Sequence, residues 1–209
     1  MNLGEIKIQT ITLMYPDTVI KYDDSTDEGV ENAVYELKCN HNFEGLLESC
    51  VGAINRAFSI IEARGLSTTK CADKALSLCK IHNGRVEIQP QKDFFSLERL
   101  LCHRGGKTYA CGYEISDGKI YTEEKGEIYT LVYATKIPRA TRSTKESLEL
   151  DLPGGVCEAI PYFVASELLA REDEERAKGA REQFEKMLSM CKRAASPCHQ
   201  CFQIIYSME

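Results

Sequence analysis

Helical spacing of apolar residues governs both ends of this 209-residue chain, and period-two alternation governs its middle. The clearest stretch runs from Asp151 to Arg193. Val156, Ile160, Phe163, Val164 and Leu168 fall on one stripe at 3.6 residues per turn, and Ala177, Ala180, Phe184, Met187, Leu188 and Cys191 form a second. Between the stripes, Arg171-Glu172-Asp173-Glu174-Glu175 is too polar to bury and rich in the acids that favour a helix N-terminus. The pattern therefore predicts two helices folded back on each other. Glu174 with Lys178 and Glu182 with Lys186 have the favourable acid-first i,i+4 order on the outer face. Pro161 either kinks the first of these helices or marks its start.

At the other end, residues 5–14 (EIKIQTITLM) are rich in β-branched side chains that suit a strand, while their place at the head of a helical half favours a short helix. A polar loop over residues 15–27 ends with Asp27 or a neighbour as N-cap. Val30, Ala33, Val34 and Leu37 give the next helix one apolar face, and Asn40-His41-Asn42 breaks it. Phe43, Leu46, Leu47, Cys50, Ile54, Ala57, Phe58 and Ile61 then hold helical spacing over five turns up to Gly65, which predicts the central core helix.

After Thr68 the period becomes two. Residues 75–81 and 85–89 flank His82-Asn83-Gly84, and Asn-Gly between alternating segments signals a hairpin. Tyr109, Cys111, Tyr113 and Ile115 alternate up to Asp117-Gly118, residues 119–122 pair back, and residues 127–136 (EIYTLVYATK) read as the longest strand. Residues 93–104 (DFFSLERLLCHR) fit a helix capped by Asp93 or a strand, and periodicity leaves both open. The expected fold is α+β: a helical bundle built from residues 1–68 and 139–193, an antiparallel β insertion over residues 69–138, and a C-terminal docking tail over residues 194–209.

Composition narrows the function. Thirty-two acids against 26 bases, a net charge of −6, argue against a protein that binds nucleic acid by neutralising phosphates, while an acidic surface suits a wall that DNA does not stick to. Ten scattered cysteines fit buried thiols in a reducing compartment better than a disulfide framework. The N-terminus lacks the basic and apolar regions of a signal peptide, which predicts a protein that stays in the cytosol where it is made.

No Walker loop, GxGxxG, GxSxG or HExxH motif is present, so no catalytic constellation and no cofactor is expected. His41, His82 and His103 fall in expected turns or strand ends and read as surface residues. Cys198-His199-Gln200-Cys201 is the one CxxC; with Cys191 and His199 as the further candidates, a zinc site is the minority reading beside two unrelated thiols. The tail is unusual in another way. Phe202, Ile204, Ile205 and Tyr206 place four large apolar side chains within five residues at a chain end, which calls for docking on the protein's own helices or on another chain.

One series of short motifs completes the reading: Ile88-Gln89-Pro90-Gln91-Lys92-Asp93-Phe94, the tyrosine-rich stretch 113–121, and Leu131-Val132-Tyr133 leading to Ile137-Pro138. Leu150-Asp151-Leu152-Pro153, Ile160-Pro161-Tyr162-Phe163 and Glu182-Gln183-Phe184-Glu185 follow. In this order they resemble the head-to-tail adaptor proteins of tailed bacteriophages, the group that includes the tail tubular protein A, or gatekeeper, of short-tailed phages. The resemblance covers roughly residues 75–190 and turns residues 93–104 toward a strand. The first 70 residues match only by helical character, and the Cys198/Cys201 pair is not part of the pattern.

The resemblance implies a non-enzymatic virion protein of the neck, assembled from host cytoplasm into a ring of twelve copies. Such a ring sits below the portal protein, joins it to tail or neck proteins and helps retain packaged DNA, which passes through the lumen without sequence-specific binding. It also implies that the C-terminal segment, here Phe202, Ile204, Ile205 and Tyr206, docks into the portal. The alternative is a small intracellular regulatory or zinc-binding protein using Cys198 and Cys201.

Overall fold

The computed structural model describes residues 1–18, 20–23 and 26–194. The fold is α+β, with five α-helices and two antiparallel four-stranded sheets among the described residues. Contacts divide these residues into two compact units, a helical one (1–66 and 137–194) and a β one (67–136).

The helical unit begins with α1, Leu3–Met14, so the β-branched N-terminal segment is helical. A capping box overrides strand propensity: the Asn2 side chain accepts the Glu5 N–H and the Glu5 carboxylate accepts the Asn2 N–H, both at 2.9 Å. Burial does the rest. Ile6 packs into the main core while Ile8 and Ile11 pack on a second cluster with α2, Asp27–Cys39, and α3, Glu44–Ala63. Thr26, a neighbour of Asp27 as expected, caps α2 by accepting the Gly29 N–H. Gly65 follows α3 at φ +65°, the left-handed conformation a glycine adopts without strain.

The C-terminal hairpin is α4, Gly154–Leu169, and α5, Glu174–Ala194. Pro161 lies inside α4, on its buried side, rather than at its start. Phe163 and Phe184 meet with ring centroids 5.0 Å apart, and the Arg181 guanidinium lies 4.5 Å from the Phe163 centroid. Arg181 also pairs with Glu167 and Glu185, and these acids reach Arg56 of α3 and Arg64 at its C-cap. The Arg64 fork holds the Glu185 carboxyl below its ordinary range.

Two polar knots tie the returning chain to this body. Glu62 of α3 accepts the Ile137 N–H at 2.8 Å and pairs with Arg139, while Asn55 bonds both the N–H and the carbonyl of Ala140. Further on, Glu146 receives Lys7 of α1 on both carboxylate oxygens at 2.7 Å and Lys38 of α2 at 3.0 Å. Neighbouring backbone bonds, Gly4 N–H to Glu146 O and Leu3 N–H to Leu148 O, strap this segment along the start of α1.

In the β unit, the first sheet has the order β1-β8-β4-β5 and the second β2-β3-β7-β6. The strands are β1 Thr69–Ala75, β2 Lys80–His82, β3 Arg85–Ile88, β4 Phe94–Arg104, β5 Lys107–Ala110, β6 Glu114–Ser116, β7 Lys119–Thr122 and β8 Ile128–Thr135. Their inner faces share one core, in which Val86, Ile88 and Ile120 meet Leu100, Tyr129 and Leu131. The buried Tyr129 hydroxyl is satisfied at both ends, donating to Glu124 O and accepting the Gly126 N–H.

Three expectations need correction here. The segment 75–81 is not one strand: β1 ends at Ala75, a 3₁₀ turn occupies Leu76–Leu78, and β2 starts at Lys80. The longest strand is β4, with 11 residues against eight in β8. The Tyr109 to Ile115 alternation is divided between β5 and β6, since the chain leaves the first sheet after Ala110 and enters the second at Glu114.

Candidate functional site

The expected docking residues Phe202, Ile204, Ile205 and Tyr206, and with them Cys198, His199 and Cys201, lie outside the described residues. Cys191 is described, and its sulfur packs on the first turn of α4, so tightly that a Cβ on Gly155 would stand 2.9 Å from it. Burial pushes its thiol above the ordinary range, with Glu158 adding to the effect. It serves as a helix-packing group. No group of three or more His, Cys, Asp or Glu among the described residues has a geometry that could hold a metal ion, and none of their helices is long and apolar enough to cross a membrane.

His103 is more than a surface residue. It is half-buried on β4 and bonded at both ring nitrogens: Nε2 lies 2.7 Å from Thr130 Oγ1 on β8, and Nδ1 lies 2.9 Å from Thr108 Oγ1 on β5. Thr130 in turn gives its hydroxyl proton to Asp73 Oδ1 on β1 at 2.5 Å. One residue from each strand thus forms a hydrogen-bonded row across the first sheet. Proton counting sets its direction. Thr130 has one hydroxyl proton, spent on Asp73, so it accepts from His103 Nε2–H. Only the His103–Thr108 pair of this row was legible in principle, because a two-residue Gly105-Gly106 turn places His103 opposite Thr108.

The second sheet offers a different surface. Its edge strands β2 and β6 have three residues each, and their central isoleucines are largely exposed, Ile81 at 61% and Ile115 at 46%. Next to β6, a cleft of about 300 Å³ is lined by Arg85, Tyr113, Glu114, Tyr121, Glu123 and Glu124 among others. Arg85 is paired there, donating to Glu114 at 2.8 Å and to Glu123 at 3.1 and 3.2 Å, and these acceptors raise its already high pKa. The cleft is therefore an acidic wall with its one guanidinium neutralised. It holds neither a nucleophile paired with a base nor a free cation to receive an anionic substrate.

Cys111 touches Cys102 and Glu124, and burial first, then these two neighbours, push its thiol up to about 12.

The chain matches no protein-family model and no curated protein.

Proposed function

We propose that the chain is a head-to-tail connector of a tailed bacteriophage, a structural virion protein that forms a ring below the portal and joins it to the tail. One observation carries this reading. Helices from both ends of the chain close a single body, a β unit is inserted between Leu66 and Ile137, and the second helical half opens with Leu150-Asp151-Leu152-Pro153. That motif has a physical role: Leu150 is buried in the helical core, Leu152 packs against it, and Pro153 starts α4. The adaptor resemblance rests on the same order of parts.

The described surface supports a structural task in other ways. Some of its charges form ion pairs between elements, as in the Arg56, Glu167, Arg181, Glu185 and Arg64 series, and a net charge of −6 suits a lumen that DNA crosses without binding. On this reading the partners are the portal protein, tail or neck proteins and further copies of the chain, about twelve in the ring. The place is the virion neck.

Phe202, Ile204, Ile205 and Tyr206 are the proposed portal contact. Burying half of these side chains gives several kcal/mol per chain at about 25 cal/mol per Å² of apolar area, and a ring multiplies this by avidity. Deleting residues 202–209 should leave thermal unfolding nearly unchanged and abolish co-sedimentation with portal rings. A truncated chain that still binds portal with full affinity would overturn the tail contact, and a full-length chain that binds no portal would overturn the connector role.

A further inference from the structure

Among the described residues, the second sheet has two open edges that complement each other. β2 (Lys80-Ile81-His82) and β6 (Glu114-Ile115-Ser116) stand at its opposite ends, are equally long and centre on an exposed isoleucine. Their backbone parity matches. Each is joined to its neighbour by a two-residue turn with both φ angles positive, Asn83-Gly84 and Asp117-Gly118, and such turns close on a hydrogen-bonded pair. Those pairs are His82 with Arg85 and Ser116 with Lys119. Alternation then turns the N–H and C=O of Ile81, and likewise of Ile115, away from the sheet toward its open edges.

The side chains match as well. Ile81 lies opposite buried Val86 and Ile115 opposite buried Ile120, so both point to the core side, while Lys80, His82, Glu114 and Ser116 point outward. Strand direction reverses at every step from β2 to β6, so a β6 edge laid beside the β2 edge of another copy continues the antiparallel order. With Ile81 opposite Ile115, the two isoleucines exchange both backbone hydrogen bonds. His82 then faces Glu114, and Lys80 faces Ser116 with Glu114 on the diagonal. The β2 edge is the basic one, and the β6 edge lies beside the acidic cleft.

We propose that copies of this chain associate head to tail through these edges, β2 of one against β6 of the next, in a continuous antiparallel sheet. The occupant is a second copy because the two edges fit each other in length, parity, facing and charge. The contact is heterologous and leaves one edge of each kind free at the ends, so it propagates until a ring closes. Three-residue strands bury far less than the roughly 1,200 Å² of a stable pair, so association of the free protein is weak and a template is needed to collect the copies. Closure into a ring rests on the connector reading; the edge pairing does not.

Sedimentation of the full chain at hundreds of micromolar tests this, together with zero-length carbodiimide cross-linking. Within one chain β2 and β6 are three strand spacings apart, about 14 Å, so a Lys80–Glu114 amide must join two copies. The expected result is that cross-link, with an association that weakens in high salt. Lys80→Glu with His82→Glu makes both edges acidic, and Glu114→Lys with Ser116→Lys makes both basic. Each variant alone should associate about tenfold more weakly, and an equimolar mixture should regain association, since each basic edge again meets an acidic one. Regain in the mixture also shows that both variants fold. No Lys80–Glu114 cross-link, or variants that associate like the wild type, or a mixture no better than its parts, would overturn the proposal. Loss of edge pairing with portal binding intact removes this contact alone, whereas edge pairing in a chain that ignores portals removes the connector reading alone.

Discussion

Removing the charge of Glu146 should be among the most damaging single changes in the helical unit. Lys7 is 5% exposed and Glu146 9%, and the ammonium sits 2.7 Å from both carboxylate oxygens. In Glu146→Gln the Lys7 charge stays buried without its counter-ion, a loss of about 3–5 kcal/mol. The helical unit's unfolding midpoint should fall by about 6–20 °C at 2–4 °C per kcal/mol. Lys38 has the same carboxylate as partner but keeps 47% of its side chain in solvent, so Lys38→Ala should cost under about 1 kcal/mol. Replacing both buried partners, Lys7→Met with Glu146→Leu, leaves no orphaned charge and should recover most of the loss. Thermal unfolding with hydrogen exchange on α1 amides measures all three variants. The reasoning fails if Glu146→Gln stays within 1 kcal/mol of the wild type, or if Lys38→Ala costs as much.

Three further outcomes are expected. Burial, opposed by Lys7 and reinforced by Glu146, pushes the Cys50 thiol from 9.0 to about 12 in the folded protein. The unfolded chain then releases this proton first, so stability should fall by about 1.4 kcal/mol per pH unit above pH 9, and Cys50→Ala should flatten that slope in denaturant melts. Arg176 of α5 donates to the carbonyls of Leu13 and Met14 at 3.0 and 2.8 Å, capping the end of α1; Arg176→Ala should cost about 1.5–3 kcal/mol and speed amide exchange in the last turn of α1. Nitrogen-15 spectra should find neutral His103 protonated at Nε2, and Thr130→Val, which removes its acceptor, should shift the ring toward a tautomer mixture while His41 and His82 stay unchanged.

The elements that could be read from sequence were those with one strong period. α3 and the α4–α5 hairpin carry long stripes ended by Gly65 or by the acidic turn, so their limits fell within a few residues of those observed. Residues 93–104 were ambiguous for an identifiable reason. Pairing of β4 with β8 slips twice, between Phe94 and Ser96 and between Leu97 and Arg99, and each slip breaks the alternation that marks a strand. β1 was missed because its burial pattern, two exposed residues after a half-buried Thr69 and no fully buried one, gives an edge strand little apolar signal. The polar row through His103 needs four strands brought together in register, information that no single segment holds.

The way the chain returns from the β unit explains how one sequence carries two kinds of order. A helical body interrupted by 70 residues must hold the two break points together, and the loop-closure cost grows only with the logarithm of the inserted length. What matters is that the ends are pinned. Glu62, three residues before Gly65 ends α3, receives the Ile137 N–H and Arg139, and Asn55 reads both backbone groups of Ala140, so the first four residues after the insertion are fixed on α3 by side chains of α3 itself. Glu62 is 4% exposed, and its carboxylate is matched by a backbone donor and a guanidinium instead of being left to desolvation. The helical unit therefore carries its own closure. The β unit takes no part in that closure, which leaves its strand edges available for the edge pairing proposed above.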